Sequence, residues 1–481
     1  MDSGSSSGSS SESSPWKYFP FDLGECENLE NYELGGFHPV HLGDVYNEGR
    51  YRIVHKLGFG GFSTVWLARD GLESGWTALK IVAARDSATY EARCGTIADH
   101  PSVAASPFFA TINQKFWIDG PNGRHLCIAF PTLGPDLSKL SNGIYSRIDP
   151  VFVKRVSLQA CRALAHLHAN GLCHGDFTAS NILLHLTDDF QLYEETDLLR
   201  LFGPPRSAPV NTYSGDPPAP HAPDYIVVPL DFRSSTTSVL SDEVCVVDFD
   251  QSFATANPPP EHPGIPVKYL APEVAVGLPQ GPASDVWALG CAIFRIRSGD
   301  DLFFNYGTNC PTDALRQIVQ TIGDLPEEWQ ETKFNDDGFA VREGESGVKF
   351  LSPEKRKPLA DRIGAIFDEP PSLYINDAGE ALEAADVETA AAMFDDWAAF
   401  REPYPSSLTS KLWKPTAVCV DGVYMTGYSD ETDQALKAFP RISGTEAALL
   451  RDLLSKIFTY DPAARVTAAA LVTHPWFFST A

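Results

Sequence analysis

The sequence predicts an α+β fold in which a small, strand-rich N-terminal part precedes a larger, mainly helical C-terminal part. Apolar residues alternate with period two along 51–57 and again along 77–82, as half-buried strands require. Farther on, apolar residues recur at helical spacing along 153–167, and 284–297 is apolar on all sides, as in a buried helix. Strand patterns followed by helical patterns are typical of this fold class.

Composition narrows the classes of function. The 481 residues carry 37 basic and 63 acidic side chains, a net charge of −26, which argues against direct binding of nucleic acid and permits a basic protein partner. No apolar run approaches the span of a bilayer, so we expect no membrane partner. The nine cysteines form no C-x-x-C pair, which is typical of reduced thiols in a cytoplasmic or nuclear protein. The Ser/Gly-rich tail over 1–15 is predicted to be disordered, because it buries too little apolar surface.

A glycine-rich turn between two predicted strands gives the first indication of a ligand. Gly60 and Gly61 would let backbone N–H groups approach phosphates with no side chain in the way, although a plain tight hairpin is the alternative. On the next strand, alternation places Ala78 and Lys80 on one face, where a small residue admits an adenine and a lysine meets the phosphates. A carboxylate must hold this lysine, and Glu91 is the candidate in the following segment.

The stretch from His174 to Asn181 matches the pattern H-x-D-x-x-x-x-N of a catalytic loop. In such a loop Asp176 offers a carboxylate to a substrate hydroxyl, and Asn181 lies where a magnesium ion would bind. Three fixed positions in eight also occur by chance, so the pattern predicts this site only together with its context. His174 alone is more simply explained as a core residue than as a base.

The context is a set of motifs that occur in one order along the chain. They are Leu57-Gly58-Phe59-Gly60-Gly61-Phe62-Ser63-Thr64-Val65, Lys80, Asp176, Asn181, Asp248-Phe249-Asp250, Ala271-Pro272-Glu273, Asp285 and Arg465. With these motifs the chain resembles a eukaryotic protein kinase and, within that superfamily, the SR-protein kinases and their fungal relatives. The resemblance implies a bilobal fold with a small β-rich N-lobe at 51–133 and a large, mainly helical C-lobe at 134–481. An N-terminal extension at 16–50 would precede them, and the C-lobe would carry inserts at about 185–243 and 332–439.

The resemblance also implies ATP and Mg²⁺ as cofactors and a role for each matching residue. Asp176 would orient the substrate hydroxyl and accept its proton, while Lys80 would pair the α- and β-phosphates and be held by Glu91. Asn181 and Asp248 would bind the magnesium ions. The nucleotide would contact Leu57, Gly58, Phe59, Gly60, Gly61, Phe62, Ser63, Thr64, Val65, Ala78, Lys80, Leu133 and Leu183.

Several positions depart from the family pattern. Gly175 replaces the arginine that usually precedes the catalytic aspartate, and few hydroxyls lie between Asp248 and Glu273, so we expect activity without phosphorylation of this segment. Thr178 stands where a lysine usually faces the γ-phosphate, and Asp250 replaces a glycine. These departures leave a pseudokinase, acting as a nucleotide-binding or protein-binding scaffold, as the alternative function.

The expected activity is ATP-dependent phosphorylation of serine or threonine in protein substrates, including arginine/serine-rich ones, by a monomer in the cytoplasm, the nucleus or both. In SR-protein kinases an acidic groove grips arginine-rich substrates, and Asp324, Glu327, Glu328 and Glu331 are candidates for one here, although charged residues commonly just face water. A kinase-fold enzyme acting on small molecules is a third interpretation, against which the peptide-platform motif at 271–273 argues.

Two further expectations concern the inserts. The Pro/Ala-rich stretch over 203–223 is predicted to be extended and mobile, as a connector or a segment that recruits partners. The acidic, alanine-rich stretch over 380–400 is predicted to form a surface helix.

Overall fold

The chain forms two compact units. The computed structural model describes residues 16–20, 26–98, 100–141, 147–235, 238–259, 264–305, 307–342, 344–367, 374–375, 381–382, 411–413, 419–420, 423–424 and 441–479. Unit 1 combines Met1–Ala92, Ile112–Thr132 and Gln191–Leu230, and unit 2 combines Arg93–Thr111, Leu133–Phe190 and Asp231–Ala481.

Strands dominate the described chain up to Pro131 and helices dominate after it, as predicted, although α1 and α2 lie among the first strands and shorter strands lie among the later helices. The α-helices are α1 (Ala84–Ala98), α2 (Pro101–Ala104), α3 (Leu137–Leu140), α4 (Pro150–Ala169), α5 (Glu195–Phe202), α6 (Pro272–Ala275), α7 (Pro282–Ser298), α8 (Pro311–Ile322), α9 (Glu327–Gln330), α10 (Leu359–Gly364), α11 (Gly444–Ile457) and α12 (Ala468–Leu471). The strands are β1 (Val45–Tyr46), β2 (Tyr51–Phe59), β3 (Ser63–Asp70), β4 (Trp76–Val82), β5 (Gln114–Gly120), β6 (Gly123–Pro131), β7 (Arg147–Ile148), β8 (Leu172–Cys173), β9 (Ile182–Leu186), β10 (Ser207–Pro209), β11 (Tyr225–Val227), β12 (Leu240–Val246), β13 (Phe253–Ala254), β14 (Lys333–Phe334), β15 (Val348–Lys349), β16 (Tyr374–Ile375), β17 (Ala381–Leu382), β18 (Leu412–Trp413), β19 (Cys419–Val420) and β20 (Val423–Tyr424).

Unit 1 is built on a six-stranded antiparallel sheet in the order β1-β2-β3-β4-β6-β5. One face of this sheet forms a buried core that includes Ile53, Trp66, Leu79 and Ile81, each 0–1% exposed. Because side chains alternate along a strand, Lys80 lies on the other face of β4. The period-two pattern of the sequence therefore predicted both the strands and the face that each residue occupies.

The N-terminal extension and part of the first insert both belong to unit 1, which corrects two predictions. The cluster that joins them contains Tyr18, Leu29, Tyr32 and Phe37 of the extension and Val210, Ala222 and Ile226 of the insert. The stretch over 203–223 is thus not a mobile connector, and Gln191–Leu230 is not part of the helical unit. The physical reason is burial. The apolar residues between the prolines cover the extension, and prolines suit such a segment because they fix φ and need no hydrogen-bond acceptor.

A buried ion pair fastens the extension to the sheet. Lys56 of β2 and Glu27 are 0% and 2% exposed and are paired with each other. Tyr32 Oη also donates to Glu27 Oε1 at 2.7 Å, and Lys56 Nζ lies 5.0 Å from the ring centroid of Trp66. Removing one partner of such a pair leaves an uncompensated buried charge, so the extension is an integral part of unit 1.

Unit 2 is mainly helical, and α4 and α7 form its centre. Asp149 caps α4 by accepting two backbone N–H bonds, at 2.9 and 3.1 Å, and Gly171 follows the helix with φ 70°. Helix α7 is buried along most of its length, with Trp287 and Leu289 at 0% exposed. Both helices match their predictions, and the α+β fold class is confirmed.

Two predictions lie outside the described residues. The tail over 1–15 is one of them, and the surface helix over 380–400 is the other, since only β17 is described there. Among the described helices, none combines the length and the apolar character needed to cross a bilayer.

Candidate active site

One buried carboxylate fixes the backbone of the catalytic loop in unit 2. Asp285 on α7 is 3% exposed. Its Oδ2 accepts the N–H of His174 at 2.8 Å, and its Oδ1 accepts the N–H of Gly175 at 2.9 Å. His168 Nε2 lies 3.1 Å from Oδ2. Hydrogen bonds to a buried charge are the strong ones, so α7 determines where the loop lies.

His174 packs in the core and does not act as a base. Its Nδ1 accepts the N–H of Asp176 at 3.2 Å, which leaves the proton on Nε2, 3.1 Å from the carbonyl oxygen of Val247. Its ring centroid lies 5.1 Å from that of Phe249 and 5.5 Å from that of Phe177. Burial lowers the pKa of His174, so the ring remains a neutral packing residue.

Asn181 is hydrogen-bonded to Asp176 across the loop. Asn181 Nδ2 donates to the Asp176 carboxylate at 2.7 Å and to its carbonyl oxygen at 2.9 Å. Because the amide nitrogen is the donor in both bonds, the amide oxygen is the Asn181 atom suited to a metal ion.

Strand pairing brings Asp248 beside Asn181, although the first insert separates them in sequence. Strands β9 and β12 are antiparallel with Ile182 opposite Val246, and the N–H of Val247 donates to the carbonyl of Asn181 at 3.0 Å. Asp248 follows directly. It has φ 68° and ψ 72°, a left-handed conformation that costs a non-glycine residue about 1–3 kcal/mol and is concentrated at functional sites.

The acidic side chains around the loop fit a divalent cation. Asp176 Oδ1 is buried and finds no hydrogen-bond partner within the described part of the chain. Burial raises the pKa of Asp176 to about 8, and the charges of Asp248 and Asp250 act in the same direction, against the hydrogen bond from Asn181. Carboxylate and amide oxygens are the donors that Mg²⁺ prefers, and a cation beside Asn181 and Asp248 would offset the repulsion among these carboxylates.

The structure explains Gly175, which the sequence showed only as a departure from the family pattern. Its φ is +80°, and a Cβ there would lie 2.3 Å from the carbonyl oxygen of Gln251. Gln251 Nε2 donates to Asp250 at 2.8 Å, and Ser252 Oγ donates to the carbonyl of His174 at 2.9 Å. The segment after Asp248 is therefore packed directly on the catalytic loop. Sequence reasoning missed Gln251, because no motif marks a residue that acts through its backbone.

Unit 1 carries the predicted phosphate-binding residues on β2, β3 and β4. Val65 lies opposite Lys80 in the pairing of β3 with β4, and Ala78 lies two residues before Lys80 on the same face. A Cβ at Gly60 or Gly61 would meet no described atom within 4 Å. The packing of the described chain therefore does not require glycine at the turn.

The predicted pair between Glu91 and Lys80 is not formed. Glu91 is exposed, and its carboxylate accepts the N–H of Trp117 Nε1 at 3.2 Å. The residue of α1 that contacts Lys80 is Tyr90, since Lys80 Nζ donates to its hydroxyl at 2.7 Å. Successive side chains of a helix point about 100° apart, so when Tyr90 faces β4 the next residue turns toward β5. In the structure, the residue before Glu91 therefore makes the contact with Lys80.

Leu133 and Leu183, which are predicted to contact the nucleotide, lie in unit 2. The N–H of Gly134, next to Leu133, donates to the carbonyl of Leu184 at 2.8 Å, and Asp136 forms a bridge with Leu183. Unit 2 thus holds Leu133, Leu183, Asp176, Asn181 and Asp248, while unit 1 holds the glycine turn, Val65, Ala78, Lys80 and Glu91.

The four acidic residues predicted to grip basic substrates fall into two classes. Asp324 is paired with Arg356, and Glu331 is paired with Lys349, so this pair of carboxylates already has basic partners. Glu327 and Glu328 are exposed in the first turn of α9, and no ion pair is formed by either within the described part of the chain.

Comparisons with known proteins agree with this geometry. A family model for the protein kinase domain matches residues 238–477. The chain is 30% identical to serine/threonine-protein kinase SRPK of Physarum polycephalum over 378 residues, 71% of this chain and 86% of that protein. It is 26% identical to protein kinase dsk1 of Schizosaccharomyces pombe over 387 residues, 63% of this chain and 71% of that protein. It is 35% identical to human SRSF protein kinase 3 over 175 residues, 34% of this chain and 30% of that protein.

The chain therefore belongs to the eukaryotic protein kinase family. Within that family it is similar to the SR-protein kinases, which confirms the predicted resemblance and defines the chain as a serine/threonine protein kinase.

Proposed function

We propose that the chain transfers the γ-phosphate of ATP to serine or threonine side chains of proteins. The arrangement of Asp176, Asn181 and Asp248 in unit 2 supports the proposal most directly. Asp176 Oδ1 is buried and has no hydrogen-bond partner among the described residues, so it could accept a substrate hydroxyl. Asn181 donates to the same carboxylate, and with Asp248 it offers oxygen atoms of the kind that Mg²⁺ prefers. The bond formed joins the substrate oxygen to the γ-phosphorus, and the bond broken is that between the γ-phosphorus and the oxygen of ADP.

Each predicted site residue has one role in this proposal. Asp176 orients the substrate hydroxyl and accepts its proton. Asn181 and Asp248 hold Mg²⁺, which when bound neutralises the charge that develops on the phosphates. Lys80 pairs the α- and β-phosphates, and the open backbone at Gly60 and Gly61 admits them.

Arginine/serine-rich proteins are the substrate class that we propose. Three observations support it: similarity to a protein named SRSF protein kinase 3, the net charge of −26, and the exposed Glu327 and Glu328 on α9. Opposite charge steers association and fixes the register of a bound peptide. A basic peptide would also compete with Arg356 and Lys349 for Asp324 and Glu331, at little cost because exposed ion pairs are weak.

We propose further that the chain acts as a monomer in the cytoplasm or nucleus, with proteins rather than nucleic acid or membranes as its partners. Its acidic charge supports this part of the proposal.

The proposal is tested by phosphate transfer to a matched set of peptides. Purified chain with Mg-ATP is offered repeats of Arg-Ser, Lys-Ser, Arg-Ala and Gly-Ser. We expect rapid transfer to Arg-Ser, slower transfer to Lys-Ser and Gly-Ser, none to Arg-Ala, and none to any peptide when EDTA removes the metal. Equal rates on Arg-Ser and Gly-Ser would contradict the substrate class. Nucleotide binding with no transfer to any peptide would favour the scaffold instead.

A further inference from the structure

Tyr90 of α1 touches the ammonium group of Lys80 in two ways. Lys80 Nζ donates to Tyr90 Oη at 2.7 Å, and it lies 4.5 Å from the centroid of the Tyr90 ring. The first contact is a hydrogen bond to a charged donor, and the second is a cation–π contact. Both fix the end of the lysine side chain rather than its stem.

Helix α1 is fastened so that Tyr90 must face β4. Ser87, one turn earlier on the same face, is 0% exposed, and its hydroxyl oxygen accepts the N–H of Leu126 on β6 at 3.0 Å. Side chains three residues apart share a helix face, and Tyr90 is only 7% exposed. The neighbouring Glu91 is held in the other direction, by the indole N–H of Trp117 on β5 at 3.2 Å.

We propose that Tyr90 is the positioning residue through which α1 aims Lys80 at the phosphates of ATP; this inference rests on the proposed function. A neutral hydroxyl is well suited to the task. It occupies one of the three N–H donors of the ammonium group and adds no negative charge beside it, whereas a carboxylate would. Tyr90 thus orients Lys80 without itself neutralising the charge that would meet the phosphates.

The test is the affinity of the full-length chain for ADP, measured by calorimetry, together with KM for ATP and for an Arg-Ser peptide. Tyr90→Phe removes the hydroxyl and keeps the ring. Because hydrogen bonds to charged groups are among the stronger ones, we expect ADP affinity to fall about 10-fold and KM for ATP to rise similarly, with KM for the peptide unchanged. Tyr90→His, whose ring nitrogen can accept a hydrogen bond, should recover part of the loss.

Tyr18→Phe is the matched control. It removes another buried tyrosine hydroxyl of unit 1, one that donates to the carbonyl of Tyr32 at 3.3 Å, and it should leave ADP affinity unchanged. A double-mutant cycle with Lys80→Met separates positioning from a general structural role. If Tyr90 acts through Lys80, Tyr90→Phe has no further effect on ADP affinity once Lys80 is replaced.

The outcomes are distinct. A loss in Tyr90→Phe that disappears in the Lys80→Met background supports the inference. Wild-type ADP affinity in Tyr90→Phe, an undiminished loss in the Lys80→Met background, or a larger loss in Glu91→Gln than in Tyr90→Phe would overturn it. If the wild-type chain bound no ADP at all, the proposed function would fail first and this inference with it.

Discussion

At the residue scale, the geometry of the catalytic loop depends on positions that carry no chemistry themselves. Asp285 accepts the backbone N–H groups of His174 and Gly175, and Gly175 makes room for the backbone of Gln251. The carboxylate of Asp176 is placed by these contacts. Replacing any of them should therefore act on the stability of the loop as well as on catalysis.

Gly175→Ala adds only a methyl group, but it should lower the free energy of unfolding of the chain strongly. The new methyl group would meet the carbonyl of Gln251 at 2.3 Å in a backbone with φ +80°, and left-handed backbone alone costs a non-glycine residue about 1–3 kcal/mol. Thermal unfolding should show a melting temperature several degrees lower, with reduced transfer. Gly444→Ala is the control, because a Cβ there meets no described atom within 4 Å. If Gly175→Ala had the same melting temperature as the wild type, the close contact between position 175 and the carbonyl of Gln251 would be contradicted.

Motifs point to the residues to which we assign the chemistry and not to those that support them. Asp176, Asn181 and Asp248 carry chemical groups that the proposed reaction needs, and they stand in recognisable sequence motifs. Tyr90 contacts Lys80 from the face of the next helix, and Gln251 contacts Gly175 through a backbone carbonyl, so both depend on how one element packs on another. No local pattern encodes such packing.

At the element scale, the N-terminal extension is held to the sheet by buried ionisable groups. His38 is 8% exposed, and its ring centroid lies 4.9 Å from that of His125, which is 0% exposed. Burial, followed by the charges of His125 and His41, lowers the pKa of His38 to about 4, below its ordinary value of 6.5. The folded extension therefore holds His38 neutral.

Acid should loosen this extension before it protonates most carboxylates. The unfolded chain takes up a proton on His38 below about pH 6.5 and the folded chain does not, so stability is full above that pH and falls as the pH drops toward 4. At pH 5 the loss from His38 is about 2 kcal/mol, since one pKa unit corresponds to about 1.4 kcal/mol. Urea unfolding at pH 7.5 and pH 5 measures it. His38→Phe should flatten the difference, and an identical pH dependence in that variant would contradict the assignment.

The segment after Asp248 should not need phosphorylation. Gln251 packs on Gly175, Ser252 bonds to the carbonyl of His174, and Lys268 pairs with Asp301 at 2.8 Å, so this chain's own groups hold the segment. Phosphatase treatment of the purified chain should leave its transfer rate within about twofold of a sample given inactivated phosphatase. A drop of 10-fold or more would show that a phosphate is required.

Helices and strands were predicted well where apolar residues recur with a clear period. They were predicted poorly where their burial depends on a segment that is distant in sequence. Strands β2 and β4 and helices α4 and α7 have clear apolar faces, and the structure places them as expected. The stretch over 203–223 has no such period. Its apolar residues become buried only because the N-terminal extension lies against them.

At the scale of the whole molecule, the first insert is a structural component of unit 1 and not a spacer. Ile226→Ala should cost about 2–5 kcal/mol, because Ile226 is 1% exposed in the cluster shared with the extension. Leu199→Ala, on the same insert but 50% exposed, should cost much less. Chemical denaturation compares the two. If both variants unfolded like the wild type, the insert would be a connector after all.

The account as a whole rests on the chemistry of one carboxylate, and Asp176→Ala tests it most directly. Transfer of labelled γ-phosphate from Mg-ATP to an Arg-Ser peptide is measured beside ATP binding, for the wild type and the variant. Removing a general base typically costs about 10²–10⁴-fold. We predict that the variant loses measurable transfer while binding ATP nearly as well as the wild type. Wild-type turnover in Asp176→Ala would contradict the account.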